Sequence, residues 1–320
     1  MKETRMSCST HFLPHITGCA KNNYVTNPTH SFPCKSSLIH EKRVNFLTCG
    51  RKTKYENILP LYAYFALMST ANSTVEIVVA NHMRFVNTHQ LSLQYIADLH
   101  GKEAICVRQY RNDVNLSRVL PSTLRYLEVP VRLAKYTYIS DVDILLNEDV
   151  VHPYRLKQMV YFNLPYSNII RPNTTRLTGI MLMVTSEFYT QKYKQQQDIL
   201  VKKLRTTTIA ENDEHVLYNL VKNGGLGLPG KNSFLNRYRP LHGIHLSYNR
   251  GFNKSMRLLS SHKQLSEFCR LISIKSTLRY LYFDCYGRNF IHDVLKRVEY
   301  DSRKYKIVRR AAPTQVGAIR

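Results

Sequence analysis

The alternation of strand and helix patterns between residues 44 and 146 constrains this chain most. Short apolar runs typical of buried strands occupy residues 44–47, 75–79, 104–107 and 136–139. Helical apolar spacing, with Gly101 as a stop signal after the second helix, lies at residues 59–70, 89–100 and 117–126. Strands joined through helices pair in parallel. We therefore expect an α/β fold with a mostly parallel sheet and helices on both faces.

The composition divides the chain into three parts. Further strand and helix patterns at residues 180–184, 187–204 and 213–221, the last with Asn212 as its N-cap, extend the patterned part over 43–250. Residues 1–42 are rich in Ser, Thr, Asn, His and Pro and predict an irregular N-terminal extension. Residues 251–320 are dense in Lys and Arg and predict a basic, mainly helical C-terminal segment.

Two aspartates directly follow the fourth predicted strand. Because successive side chains in an extended segment alternate, Asp141 and Asp143 should lie on one side while Val142 points into the core. Adjacent carboxylates repel each other unless a cation lies between them, and Mn²⁺ or Mg²⁺ prefers such oxygen ligands. Ligands of parallel sheets bind beyond the carboxyl ends of the strands. The pattern predicts a metal site for a diphosphate; the alternative is a surface turn capped by Asp.

The segment around this aspartate pair resembles a known enzyme family. Residues 124–127 (Leu-Arg-Tyr-Leu) and 136–145, an aromatic-rich strand ending in Asp-Val-Asp-Ile-Leu, are similar to glycosyltransferases of the GT-A fold. The similarity is greatest to the family 8 type, which includes bacterial lipopolysaccharide galactosyl- and glucosyltransferases, and it extends from Val44 to about Arg250. It implies a Rossmann-like mixed sheet, a nucleotide-sugar donor (a UDP-sugar first of all), Mn²⁺ or Mg²⁺, a glycan or lipid-linked acceptor, and usually retention of the anomeric configuration.

The resemblance also implies metal ligands. Asp141 and Asp143 would hold the metal, joined by a late histidine that is His242 or His245. The family's usual His-x-x-Gly-x-x-Lys-Pro pattern is not matched here, so both histidines stand as candidates. Arg250 could replace the missing Lys as a contact to the diphosphate.

Donor-binding and catalytic residues follow from the resemblance in the same way. The implied donor contacts are Arg51 and Tyr55 near the nucleoside, Arg125 at the sugar or phosphates, and Thr178 and Gly179 in the sugar pocket. Asp213 and Glu214 match the acidic segment near the reacting sugar. A carboxylate there can stabilise an oxocarbenium-like centre.

The charge of the chain indicates an anionic partner. Lys and Arg number 46 against 22 Asp and Glu, a net charge of +24. Such a surplus suits an anionic membrane surface, although a solvated basic surface would also carry it. The main alternative function is a nucleic-acid-binding protein or metal-dependent nuclease using the same aspartates. No nucleic-acid-binding motif accompanies the sheet pattern. A third possibility is an inactive sugar-binding protein on a transferase fold.

Cysteine usage and hydropathy predict the compartment. The seven cysteines are odd in number and form no Cys-x-x-Cys pair, which predicts free thiols in a reducing compartment. Cys8, His11, His15 and Cys19 could surround zinc, but a proline and a glycine interrupt any helix there. The first 30 residues lack a signal-peptide core, and the longest apolar run, near residues 58–68, is too short to span a bilayer. We expect a cytoplasmic protein, soluble or peripheral on the inner face of a membrane.

Overall fold

The computed structural model describes residue 32, residues 43–50, 53–111, 116–118, 120–146, 148–208 and 211–230, and the backbone of residues 243–245. Its strands are β1 (Val44–Gly50), β2 (Ser73–Val79), β3 (Ile105–Gln109), β4 (Tyr136–Ile139), β5 (Ile144–Leu146), β6 (Tyr166–Ser167), β7 (Met181–Val184) and β8 (Gly243–His245). Its α-helices are α1 (Thr53–Glu56), α2 (Leu59–Ser69), α3 (His82–His100), α4 (Pro153–Phe162), α5 (Thr185–Phe188), α6 (Gln191–Lys203) and α7 (Asp213–Asn223). Short 3-10 helices span Lys102–Ala104, Leu116–Arg118 and Pro121–Tyr126.

Six strands form one sheet in the order β3-β2-β1-β4-β7-β6. The pairs β1–β2, β1–β4 and β2–β3 are parallel, whereas β7 runs antiparallel to β4 and β6. Phe46 packs in a core with Leu59 of α2, and its neighbour Leu47 packs in a second core with Leu217 of α7. The predicted mostly parallel sheet with helices on both faces is thus confirmed.

The central strand β1 explains where a ligand can bind. It has β2 on one side and β4 on the other, so the chain changes direction across the sheet at β1. Leu47 pairs with Ile139, which brings the carboxyl ends of β1 and β4 to the same edge. Crevices form at such reversals in open α/β sheets. The segment after β4 begins at that edge.

Two predicted helices are wrong in detail. Residues 117–126 form two short 3-10 helices because Leu120 is extended (φ −64°, ψ 136°) before Pro121, a residue that disfavours helix at the preceding position. Residues 187–204 are divided between α5 and α6 because the Thr190 side chain accepts a hydrogen bond from the N–H of Tyr193 and starts a new helix. In addition, α3 begins at His82, directly after its Asn81 cap and seven residues before the predicted start.

The cysteines correct the expectation of free thiols. Cys106, in β3, is disulfide-bonded, with a partner outside the described residues, while Cys49 is free and burial raises the pKa of its thiol well above the usual range. Phe32, from the N-terminal part, accepts a hydrogen bond through its carbonyl from the N–H of Val107 at 3.2 Å. The spacing of the cysteines along the chain could not reveal this disulfide.

Several expectations fall on residues that the structure does not describe. These are the irregular form of residues 1–42 apart from Phe32, the basic helical segment 251–320, and the zinc cluster of Cys8, His11, His15 and Cys19. Among the helices of the described part, none is both long and apolar enough to cross a membrane.

A buried ionic network fixes the segment that follows the Pro121–Tyr126 helix. Glu76 of β2 is fully buried, and its carboxylate accepts hydrogen bonds from Arg108 at 2.7 Å and from the backbone N–H of Val131 at 3.0 Å. Arg108 also donates to Glu128 at 2.6 Å. The network therefore joins β2 and β3 to residues 128–131.

Replacing Glu76 with Gln should lower the free energy of unfolding by about 3 kcal/mol, because it removes one charge from a buried ion pair and leaves Arg108 less compensated. Urea denaturation of the purified protein measures this change. Glu187→Gln, at an exposed glutamate of α5, is the matched control and should change the free energy by less than about 0.5 kcal/mol. Equal effects of the two substitutions would contradict a stabilising role for the network.

Candidate functional site

Arg125 lies at the centre of the candidate site. It is buried at the end of the Pro121–Tyr126 helix, and its two terminal nitrogens bind different carboxylates. Nη1 donates to Oδ1 of Asp141, and Nη2 donates to Oδ2 of Asp213 at 2.9 Å. Burial alone would lower the pKa of Arg125, but Asp141 and the other nearby groups raise it well above the usual value. A permanently charged guanidinium therefore joins the segment after β4 to the start of α7.

The aspartate pair occupies the turn between β4 and β5. The Ser140 hydroxyl forms a buried 2.9 Å hydrogen bond with the Tyr62 hydroxyl of α2, which anchors the turn to the core. Val142 is buried in that core, whereas the Asp141 side chain keeps 31% of its surface exposed and Asp143 is half-buried. Val142 is buried as predicted, but the segment is a turn, closed by a hydrogen bond from the N–H of Ile144 to the carbonyl of Asp141 at 3.2 Å, and is not an extended strand. The turn presents carboxylates at the edge of the sheet.

Tyr55, in α1, lies near both aspartates. Burial raises the pKa of its phenol first, and the carboxylates of Asp143 and Asp141 raise it further. The phenol therefore stays neutral and can donate a hydrogen bond at the site. Arg51, the other predicted contact from this loop, lies outside the described residues.

Thr178 and Gly179 reach the site immediately before β7. The Asn168 side-chain oxygen accepts from the backbone N–H of Thr178 at 3.0 Å and from its hydroxyl at 2.7 Å. A Cβ atom at Gly179 would lie 2.6 Å from Nη2 of Arg125 and 3.3 Å from the Tyr126 hydroxyl. A side chain here would push the Arg125 guanidinium away from its present position, so glycine permits this close approach. The group that comes near the backbone here is the Arg125 guanidinium.

Asp213 and Glu214 occupy the first turn of α7 and face different arginines. The predicted cap is confirmed, since the Asn212 side chain accepts from the N–H of Glu214 at 2.9 Å. Asp213 binds Arg125, whereas Glu214 accepts a hydrogen bond from Arg171. The structure thus brings Asp213 together with Asp141 and directs Glu214 elsewhere.

Arg171 and Asn168 were not predicted from the sequence. Arg171 lies between β6 and β7 and binds Glu214, 43 positions further along the chain. Asn168 holds Thr178 across the same connection. Neither belongs to a motif, and their partners lie at distances along the chain that no local pattern reveals.

The backbone of His245, one of the candidate histidines, lies beside the strand that follows the aspartates. Strand β8 pairs antiparallel with β5, and His245 lies opposite Ile144, the residue after Asp143. His242 and Arg250 lie outside the described residues, and so does the side chain of His245. Within the described part of the chain, no group of three or more His, Cys, Asp or Glu side chains gathers to hold a metal. Two carboxylates suit Mg²⁺ or Mn²⁺, which takes one or two protein carboxylates together with substrate phosphates.

No protein-family profile and no curated protein matches the chain. Among solved structures, the apo glycosyltransferase GlyE of Streptococcus pneumoniae TIGR4 is similar at 13% identity and TM-score 0.38, covering 57% of this chain and 44% of GlyE. The galactosyltransferase LgtC, in complex with donor and acceptor sugar analogs, has 13% identity, TM-score 0.37 and coverages of 57% and 71%. The mannosyltransferase PcManGT of Pyrobaculum calidifontis, in complex with GDP-Man and Mn²⁺, has 9% identity, TM-score 0.30 and coverages of 80% and 88%.

These structural similarities do not establish the function of this chain. The chain spans about half the length of the GlyE structures, 44% in one and 51% in the other. All three proteins are glycosyltransferases. Sequence identities of 9% to 13% and TM-scores of 0.30 to 0.38 carry no argument about the chemistry of this chain. The case for a function therefore rests on the geometry around Arg125.

Proposed function

We propose that this chain is a GT-A-type glycosyltransferase that moves a hexose from a nucleotide-sugar donor to a glycan or lipid-linked acceptor. The observation that carries the proposal is the Arg125 guanidinium, which joins Asp141 to Asp213. It connects the candidate metal-binding pair with a candidate catalytic carboxylate at the carboxyl edge of the sheet. Gly179, from the predicted sugar pocket, packs against the same guanidinium.

The charges of the site suit a nucleoside diphosphate as leaving group. Asp141 and Asp143 would hold Mn²⁺ or Mg²⁺, with His242 or His245 as a third ligand, and the bound ion would act as a Lewis acid on the diphosphate. Arg125 adds a fixed positive charge beside them, and neutral Tyr55 offers a hydrogen-bond donor toward the nucleoside. Arg51 and Arg250 complete the proposed donor contacts.

The reaction breaks the bond between the anomeric carbon and the diphosphate oxygen, and the electron pair leaves with the nucleoside diphosphate. The acceptor hydroxyl forms the new bond to that carbon, and its proton passes to the departing diphosphate. Positive charge develops on the sugar in the transition state, and the Asp213 carboxylate is suited to stabilise it. Arg125 fixes the position of Asp213 relative to Asp141. By the family resemblance, the anomeric configuration is retained.

The charge of the whole chain supports a second element of the proposal, in which the enzyme works at an anionic membrane surface. The net charge is +24, and basic segments bind anionic headgroups. Such a surface would carry lipid-linked acceptors.

Thermal stability with a panel of nucleotide sugars tests the proposal. A ligand that binds only the folded protein raises its melting temperature. We expect one UDP- or GDP-sugar to raise the melting temperature of the wild type by several degrees with Mn²⁺ present. Asp143→Ala should abolish the shift while leaving the melting temperature of the free protein nearly unchanged, because Asp143 is half-buried at the surface.

Two results would overturn the proposal. One is a shift that persists without metal and in the Asp143→Ala protein, which would remove the metal role of the aspartates. The other is stabilisation by DNA or RNA with no response to any nucleotide sugar, which would favour a nucleic-acid function.

A further inference from the structure

A pocket of about 930 Å³ lies between the β6–β7 connection and the start of α7. Its lining includes Arg171, Asn173, Arg176, Glu211, Asn212 and His215. Small-molecule pockets usually have volumes of about 300–1,000 Å³, so a ligand of one to a few sugar rings would fit. The proposed metal site and donor contacts do not involve this pocket.

The walls of the pocket are held in place by hydrogen bonds. The N–H of Arg171 donates to the carbonyl of Arg176 at 2.8 Å, which closes the connection into a hairpin. The N–H of Leu177 donates to the Glu214 carbonyl at 3.2 Å, and the His215 ring nitrogen Nδ1 lies 2.9 Å from the Thr175 carbonyl. The hairpin and α7 therefore form one fixed cavity.

The pocket adjoins the candidate donor site through consecutive residues. Arg171, in its lining, binds Glu214, and the preceding residue Asp213 binds Arg125. Thr178 and Gly179 follow the hairpin directly and belong to the predicted sugar pocket. Two consecutive carboxylates of α7 therefore connect the pocket lining to the candidate donor site.

We propose that this pocket binds the acceptor and that the acceptor is a neutral saccharide there. This inference rests on the proposed function. The charges around the cavity balance, since the positive Arg171 and Arg176 are accompanied by the negative Glu211 and by Glu214, which binds Arg171. Saccharide hydroxyls donate and accept hydrogen bonds, as such a mixed lining requires.

Exposed hydrogen-bonding groups of the lining support a hydroxyl-rich ligand. Asn173 is exposed at the pocket, and its side-chain amide can both donate and accept hydrogen bonds. Arg176 is exposed at the rim and adds further donors without being required by the fold.

Direct binding of sugars, without any nucleotide sugar present, tests the pocket. We would measure lactose, maltose and cellobiose by saturation-transfer NMR against the wild type, Arg176→Ala and Asn173→Gly. Glycine is chosen for Asn173 because the backbone there has a positive φ of 57°. Arg205→Ala, an exposed arginine outside the pocket, is the matched control.

We expect at least one disaccharide to bind the wild type and the control equally and the two pocket variants about tenfold more weakly. Absence of binding by all three sugars, or equal binding by all four proteins, would overturn the inference. Glucose and glucose 6-phosphate are measured in the same way, and tighter binding of glucose 6-phosphate would show an anion-selective pocket and contradict the neutral class. Because no donor is present, the result is independent of whether a nucleotide sugar binds, so failure of the proposed function is detected separately.

Discussion

Arg125→Lys should lower the rate of sugar transfer by about 100-fold while the protein stays folded, because small misplacements of reacting groups cost about that much. The guanidinium binds Asp141 and Asp213 through two different nitrogens. A lysine keeps the positive charge, but a single ammonium lacks the planar fork that spans two carboxylates. The two acidic groups would then lose their fixed separation. Steady-state transfer, with the melting temperature recorded in parallel, measures the effect.

Arg111→Lys is the matched control for this experiment. Arg111 forms an ion pair with Asp198 at 2.8 Å, but the pair is partly exposed and lies outside the site. The control should keep the transfer rate of the wild type. If Arg125→Lys also retained activity within threefold, the bridge between the two carboxylates would have no part in the reaction.

Asp213→Asn should reduce transfer by about 1,000-fold, comparable to losing a group that stabilises transition-state charge. The amide has nearly the same shape but cannot stabilise a positively charged sugar. Glu214→Gln should cost less than about tenfold, because Glu214 faces Arg171 and the neighbouring pocket instead of Arg125. Comparing kcat for the two variants at saturating donor separates the two candidate carboxylates.

The reverse result would change the assignment. A large loss in Glu214→Gln with little loss in Asp213→Asn would make Glu214 the group near the reacting carbon. Donor binding, measured by the same thermal shift with Mn²⁺, should persist in both variants. Loss of donor binding in Asp213→Asn would mean that this residue positions the donor and does not act on the transition state.

Much of the sheet could be predicted because its strands are short, apolar and separated by clear stop signals. β4 ends where the sequence predicted, and β1 continues three residues further, to Gly50. The strands β6 and β8 have only two and three residues, too few to show a periodic pattern. Helix boundaries failed where a local side chain or proline overrode apolar spacing, as at Thr190 and Pro121.

The site was predictable where function imposes a local pattern. Asp141, Asp143 and Arg125 stand in a recognisable stretch, and the structure brings Arg125 to Asp141. The ionic partners Asp213 and Arg171 are joined to the site by contacts that span 88 and 43 positions. Pairings over such distances depend on how α7 packs against the sheet, and no single segment encodes that packing. The metal-binding, donor-binding and catalytic roles of all the predicted site residues remain predictions.

The first turn of α7 holds two consecutive carboxylates, one bound to Arg125 and the other to Arg171. Because they are adjacent on one helix, the start of α7 positions both the proposed donor site and the neighbouring pocket. The connection between α6 and α7 sets where that helix begins. Lengthening or shortening this connection would displace both carboxylates together, so the proposed acceptor pocket could not be re-engineered there without disturbing the proposed donor site.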